Sequence, residues 1–207
     1  MNSKTERFQL PGPAGAIEVL RDTPDGASRG FALIAHPHPL FGGTMDNKVV
    51  QTLARAFVQS GWTALRFNFR GVGASAGVHD EGRGETEDLL ALAASAAPEG
   101  PLCLAGFSFG SFVASRALQS LWPARSIEKI VLVGTAAARF EVAALPPEAH
   151  DRTLVVHGEV DDTVPLQAVL DWARPQSLPV TVIPGGEHFF HGQLPLLKNL
   201  VLRHLRS

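Results

Sequence analysis

Short continuous apolar runs, alternating with helix-patterned stretches, constrain this chain more than any other feature. Phe31–His36 reads Phe-Ala-Leu-Ile-Ala-His, apolar at almost every successive position. A strand of that kind is covered on both faces, as happens when helices pack on either side of a parallel sheet. From about Asp46 to Ser60, Val49, Leu53 and Phe57 recur on one helical face, and Gly61 stops the helix. Thr63–Phe69 reads as the next strand. Glu85–Ala97 puts Leu89, Leu92, Ala93 and Ala96 on one stripe, with Glu85, Glu87 and Asp88 at the positive end of the helix dipole. The alternation continues with a strand at Leu102–Ala105, a helix at Ser108–Ser120 and strands at Ile130–Val133, Leu154–His157 and Val180–Ile183. A helix near Leu166–Ala173 lies between the last two strands, and Leu194, Leu197, Val201 and Leu205 mark a C-terminal one. Arg7–Leu10 and Ala16–Leu20 read as an N-terminal strand pair joined by the loop Pro11–Gly15. No repeat, charge block or long linker divides the chain. The expectation is a single domain over residues 1–207, with a mostly parallel sheet flanked by helices on both faces. Chemistry is then sought just after each strand, because ligands bind at the carboxyl ends of such sheets.

Composition narrows the function classes. Apolar residues make up 45% of the 207 residues and charged residues 18%, a balance that excludes a disordered chain. Lys+Arg of 18 against Asp+Glu of 20 leaves no basic excess, so no nucleic-acid partner is expected. No apolar run is long enough to span a bilayer, so no membrane partner is expected. The polar start, Met1 to Arg7, lacks the apolar stretch of a signal peptide, and the lone Cys103 fits a reducing compartment. Together these give an expectation of a cytoplasmic protein.

Four segments after strands carry the chemistry. Gly106-Phe107-Ser108-Phe109-Gly110 lies between a strand and a helix, the setting in which Gly-x-Ser-x-Gly presents a nucleophile. The glycines make room for a sharp turn, and the turn sets the Ser108 hydroxyl at a helix N-terminus. A Gly-rich turn with a capping serine is the plainer reading. A serine needs a base held by a carboxylate. His157-Gly158-Glu159-Val160-Asp161-Asp162 and Gly185-Gly186-Glu187-His188-Phe189-Phe190-His191 supply both, in the chain order Ser, Asp, His. Asp161 is the expected acid with Asp162 as its rival, since either could serve as a cap before Pro165. His188 is the expected base with His191 as its rival. In His36-Pro37-His38-Pro39-Leu40-Phe41-Gly42-Gly43 the prolines lack an N–H, which leaves the His38 amide as the expected second oxyanion donor and Leu40 as the alternative. Phe109 would give the first donor.

These segments resemble the α/β-hydrolase superfamily over nearly the whole chain. His36-Pro37-His38-Pro39-Leu40-Phe41-Gly42-Gly43-Thr44-Met45-Asp46-Asn47-Lys48 resembles small bacterial members without a cap domain, of the esterase and dienelactone-hydrolase-like group. Arg66-Phe67-Asn68-Phe69-Arg70-Gly71-Val72-Gly73-Ala74-Ser75 is similar to the superfamily's Asp-x-Arg-Gly-x-Gly-x-Ser stretch, with Asn68 where Asp is commoner. That stretch is largely structural. His157-Gly158-Glu159-Val160-Asp161 resembles its His-Gly-x-x-Asp acid segment. The resemblance implies an α/β-hydrolase fold, a triad of Ser108, Asp161 and His188, and oxyanion amides from Phe109 and His38. The elbow departs from the pattern by carrying Phe at both variable positions.

The expected function is a serine hydrolase of the carboxylesterase type, cleaving a small-molecule ester or thioester without cofactor or metal. A small peptide or amide is the harder substrate for the same groups. Phe41, Phe107, Phe189 and Phe190, with Phe109, are expected to supply apolar pocket surface. The Thr135–Arg152 segment, where a lid would be inserted, is too short for a folded cap, so an open, shallow site is expected. Two other classes remain. His36, His38, His188 and His191 could assemble as zinc ligands, and a silent fold could act as a binding module. Metal analysis addresses the first and fluorophosphonate labelling the second.

Overall fold

In the computed structural model, which describes residues 5–206, an eight-stranded sheet runs through the molecule. The strands are β1 (Thr5–Gly12), β2 (Gly15–Asp22), β3 (Phe31–Ala35), β4 (Thr63–Phe67), β5 (Leu102–Phe107), β6 (Ile127–Val133), β7 (Thr153–Gly158) and β8 (Val180–Ile183). Their order across the sheet is β1-β2-β4-β3-β5-β6-β7-β8. From β4 onward every neighbouring pair is parallel, whereas β1 with β2 and β2 with β4 are antiparallel. The helices are α1 (Lys48–Gln59), α2 (Arg83–Ala96), α3 (Phe109–Leu121), α4 (Leu166–Ala173) and α5 (Leu194–Arg206). The first four residues of the polar start lie outside the described residues.

The two-faced strands explain the layering. On β3, Ala32 and Ile34 face a cluster with Val49, Leu53 and Phe57 of α1 and Leu197, Val201 and Leu205 of α5. Leu33 and Ala35 face the opposite cluster, with Leu89 and Leu92 of α2, Val113 of α3 and Val169 of α4. Leu33 and Ile34 are wholly buried on opposite sides of the sheet, and burying each stabilises the fold by about 1.5–3 kcal/mol. Apolar runs without alternation are therefore what a strand between two helical layers requires.

Local chemistry sets the ends. The Asn47 side chain accepts from the Val49 amide at 2.8 Å and opens α1. At α2 the buried Glu85 carboxylate accepts from the Gly82 and Asp80 amides at 2.8 and 2.9 Å. The N-terminal pair forms a tighter hairpin than its sequence implies. Pairing extends to Gly12 opposite Gly15, so Pro11 lies inside β1, an edge strand where its missing N–H costs no sheet hydrogen bond. The Arg70-Gly-Val-Gly-Ala-Ser stretch after β4 is structural. Arg70 binds Asp88 of α2 through two hydrogen bonds of 2.9 and 2.8 Å. Asn68 accepts from the Met45 amide at 3.0 Å and donates to Glu18 at 2.7 Å. A neutral side chain suits that place, since the Glu18 carboxylate beside it needs a donor.

Candidate active site

All the segments singled out in the sequence meet at the carboxyl end of the parallel strands. β5 ends at Phe107 and α3 begins at Phe109, leaving Ser108 to make the whole turn. Its backbone stands at φ 56° and ψ −118°, a conformation that side-chain-bearing residues rarely adopt. The two glycines are steric necessities. A Cβ on Gly106 would lie 2.3 Å from the Gly110 backbone, and one on Gly110 would lie 2.2 Å from the Ala35 carbonyl oxygen. The strand, the turn and the neighbouring β3 are thus packed backbone to backbone. Ser108 is only 7% exposed, yet its hydroxyl lines a cleft.

That hydroxyl ends a hydrogen-bonded chain. The His188 Nδ1–H donates to Asp161 Oδ2 at 2.7 Å, and His188 Nε2 lies 3.1 Å from Ser108 Oγ. The carboxylate can only accept, which fixes the proton on Nδ1 and leaves Nε2 free to accept from the serine. Asp161 Oδ1 is held by the Thr163 and Val164 amides at 2.9 and 2.7 Å. Burial alone would raise the Asp161 pKa, but the hydrogen bonds from His188 and Val164 outweigh it and hold the carboxyl below its ordinary value. The imidazole lies beside Gly134, the residue after β6, whose absent Cβ would sit 3.3 Å from His188 Cε1.

The rivals fall elsewhere. Asp162 is exposed, and its carboxylate accepts from the Thr163 hydroxyl. His191 is exposed on the far side of the turn and pairs with Glu187. Near β3, the amides of Leu40, Phe41, Gly42 and Gly43 donate to His38 Nδ1, the His38 carbonyl, the Pro39 carbonyl and the His38 carbonyl respectively. The Leu40 alternative is thereby spent inside the loop, while the His38 N–H has no acceptor among the described residues. Phe109 is the first residue of α3, so its N–H has no partner within the helix.

Two pocket expectations need correction. Phe190 is fully buried in the cluster with α1 and α5 and does not reach the cleft. It sits at φ 54°, in a turn closed by its own amide on the Glu187 carbonyl, which sends Phe189 and Phe190 to opposite sides. Phe107 is also fully buried; its ring packs against the His188 imidazole at 4.9 Å and forms the floor beneath it rather than a pocket wall. Phe41, 73% exposed, and Phe189, 41% exposed, do line the cleft, as does Phe109. Sequence reasoning missed Arg139 and Phe140, which close the cleft on the β6 side. Both lie in the Thr135–Arg152 segment, which carries no motif.

The four imidazoles do not converge as metal ligands. His36 receives the Phe69 amide at Nε2, 3.0 Å away, and donates from Nδ1 to the Pro37 carbonyl at 2.6 Å. Burial pushes its pKa down to about 3, so it stays neutral. Among the described residues no group of three or more His, Cys, Asp or Glu side chains could hold a metal. The cleft at Ser108 has a volume of about 310 Å³. A larger one, about 630 Å³, lies beside α1 and holds paired charges, with Arg66 on Asp22 at 2.9 Å and on Asp46 at 3.3 Å. It contains no nucleophile–base arrangement. No helix among the described residues is long and apolar enough to cross a membrane.

A doubly covered, mostly parallel sheet with a serine at a strained strand–helix turn, and no lid over it among the described residues, defines the class of lidless α/β serine hydrolases. Known proteins agree. A lidless α/β serine hydrolase of Xanthomonas campestris is 35% identical and superposes with a TM-score of 0.87, the match covering 100% of this chain and 95% of that one. An α/β serine hydrolase homologue of Coxiella burnetii is 37% identical at a TM-score of 0.85, covering 97% of each chain. Est1E of Butyrivibrio proteoclasticus, seen with ferulic acid, shares the fold at 16% identity and a TM-score of 0.81, covering 96% of this chain and 98% of that one. The family model for alpha/beta hydrolases matches residues 75–171. An uncharacterised protein of Rickettsia prowazekii is 41% identical over 107 residues, half of this chain, and the match spans 45% of that relative's length. The chain belongs to the α/β-hydrolase superfamily.

Proposed function

We propose that this protein is a serine esterase that cleaves small carboxylic esters through a covalent acyl-enzyme. The observation that carries the reading is the hydrogen-bonded chain Ser108–His188–Asp161, with the hydroxyl raised at a helix N-terminus. In the first step Ser108 Oγ bonds to the ester carbonyl carbon as His188 Nε2 takes its proton. Negative charge gathers on the carbonyl oxygen, where the N–H groups of Phe109 and His38 receive it. The carbonyl–oxygen bond to the alcohol breaks, and the imidazolium returns the proton to the leaving alkoxide. Water then attacks the acyl carbon, giving a proton to His188, and the acid departs as that proton returns to Ser108 Oγ. Asp161 keeps Nδ1 protonated throughout and stabilises the imidazolium.

An ester is favoured over an amide because an alkoxide leaves more readily than an amine, so the ester asks less of the same three groups. The test pairs p-nitrophenyl acetate hydrolysis with fluorophosphonate labelling. The wild-type protein should turn over the ester and take up one label, and Ser108→Ala should do neither while keeping its far-UV circular dichroism. Labelling of the alanine variant, or retention of most of its activity, overturns the assignment.

A further inference from the structure

We propose that the cleft is made for an ester that carries a carboxylate, and that the Arg139 guanidinium binds that carboxylate. The inference rests on the esterase reading above and deepens it by naming a substrate class. Of the side chains lining the cleft at Ser108, Arg139 is the one guanidinium, and no Asp, Glu or Lys lines it. Its guanidinium lies over the Phe41 ring, 5.7 Å from the centroid.

What sets this arginine apart is its place: it is the one arginine or lysine that lines the cleft, and no acid holds it there. Arg7, Arg21, Arg66, Arg70, Arg83 and Arg174 each pair with a carboxylate. No carboxylate among the described residues forms an ion pair with Arg139. A surface cation in water needs none, but this one stands at the rim of a cleft walled by Phe41, Phe109, Phe140 and Phe189. Beside such apolar walls a charge pair is screened less than in open water. The residue is exposed, and its backbone is anchored. The Arg139 and Phe140 amides both donate to the Ala136 carbonyl, at 3.2 and 3.1 Å. The Phe140 ring in turn stacks on Phe112 at 4.9 Å and 18°. The guanidinium's field also reaches the His38 ring and contributes, after burial and His79, to lowering its pKa. This places the cation beside the loop whose His38 amide faces the reacting carbonyl in the proposed mechanism. A guanidinium held near an aromatic face by cation–π attraction keeps its planar fork of N–H groups for two-point contact with a carboxylate. One guanidinium with no second cation suits a monoanion better than a phosphate dianion.

The test compares matched esters. On the acyl side the pair is p-nitrophenyl hydrogen adipate and p-nitrophenyl hexanoate. On the leaving-group side it is the acetate ester of p-hydroxybenzoate and phenyl acetate. The readout is the ratio of kcat/KM for the acid to that for its neutral partner. In Arg139→Gln that ratio should fall on the order of 10-fold for one pair, which identifies the side of the ester that bears the acid. Arg139→Lys should retain part of the ratio, and the wild-type ratio should decline as salt is added. An unchanged ratio for both pairs in Arg139→Gln overturns the inference while leaving the esterase reading intact. Ser108-independent hydrolysis of the neutral esters overturns the esterase reading itself, and this inference with it.

Discussion

The strain at Ser108 makes a stability prediction that activity assays cannot reach. Its φ of 56° and ψ of −118° cost a residue with a Cβ about 1–3 kcal/mol. Glycine is free of that cost, because the mirror image of this conformation is ordinary extended backbone. Ser108→Ala and Ser108→Gly both remove the hydroxyl and its contact with His188, so the difference between them isolates the backbone. Taking strain of about 2 kcal/mol, less the roughly 0.5–1 kcal/mol that glycine loses through its freer unfolded chain, Ser108→Gly should be more stable than Ser108→Ala by about 1 kcal/mol. For a chain of this size that is about 2–4 °C in melting temperature. Urea unfolding of both variants measures the difference. Ser126 supplies the control: it is exposed, has no positive φ, and its hydroxyl bonds to Glu128, so there the glycine variant should be the less stable. If Ser108→Gly is equal to or less stable than Ser108→Ala, the turn is not strained and the reasoning fails.

Asp161→Asn should lower kcat/KM by about 10⁴-fold, since an amide in that place favours the wrong imidazole tautomer; Asp162→Asn should change it little, and steady-state kinetics on one ester decides between the two carboxylates. Gly110→Ala should cost about 3 kcal/mol or more, because its Cβ would meet the Ala35 carbonyl at 2.2 Å. Gly42→Ala should cost only its positive-φ strain, about 1 kcal/mol, because nothing lies within 4 Å of that position, and thermal melts separate the pair. The neutral His36 predicts a pH dependence. Its pKa falls from 6.5 to about 3 on folding, so the unfolded chain binds the extra proton between those values. Stability from this group is complete above pH 6.5 and declines on acidification by about 1.4 kcal/mol per pH unit, or about 2 kcal/mol at pH 5. His36→Asn should be less stable than wild type near neutrality, and its unfolding free energy should fall by about 2 kcal/mol less between pH 7 and 5; an equal fall in both proteins would refute the assignment.

Much of this protein is legible along its chain because the signals are local. The two-faced run at Phe31–Ala35, the stripe of α1 and the stop at Gly61 depend on residues a few places apart, and so does the serine turn, whose glycines fix its geometry. The chain therefore determined the layered fold, the serine turn and the two segments that carry the proposed acid and base. Tertiary structure decided the rest, because which of two adjacent side chains points inward depends on packing against distant strands. Asp161 is buried behind His188 while Asp162 faces solvent. Phe189 borders the cleft while Phe190 fills the core, a division made by one positive φ in a turn closed on Glu187. Arg139 is the clearest case. Its sequence neighbours, Ala138 and Phe140, carry no mark of a site, and its meaning comes from Phe41, nearly a hundred positions away, over whose ring it lies.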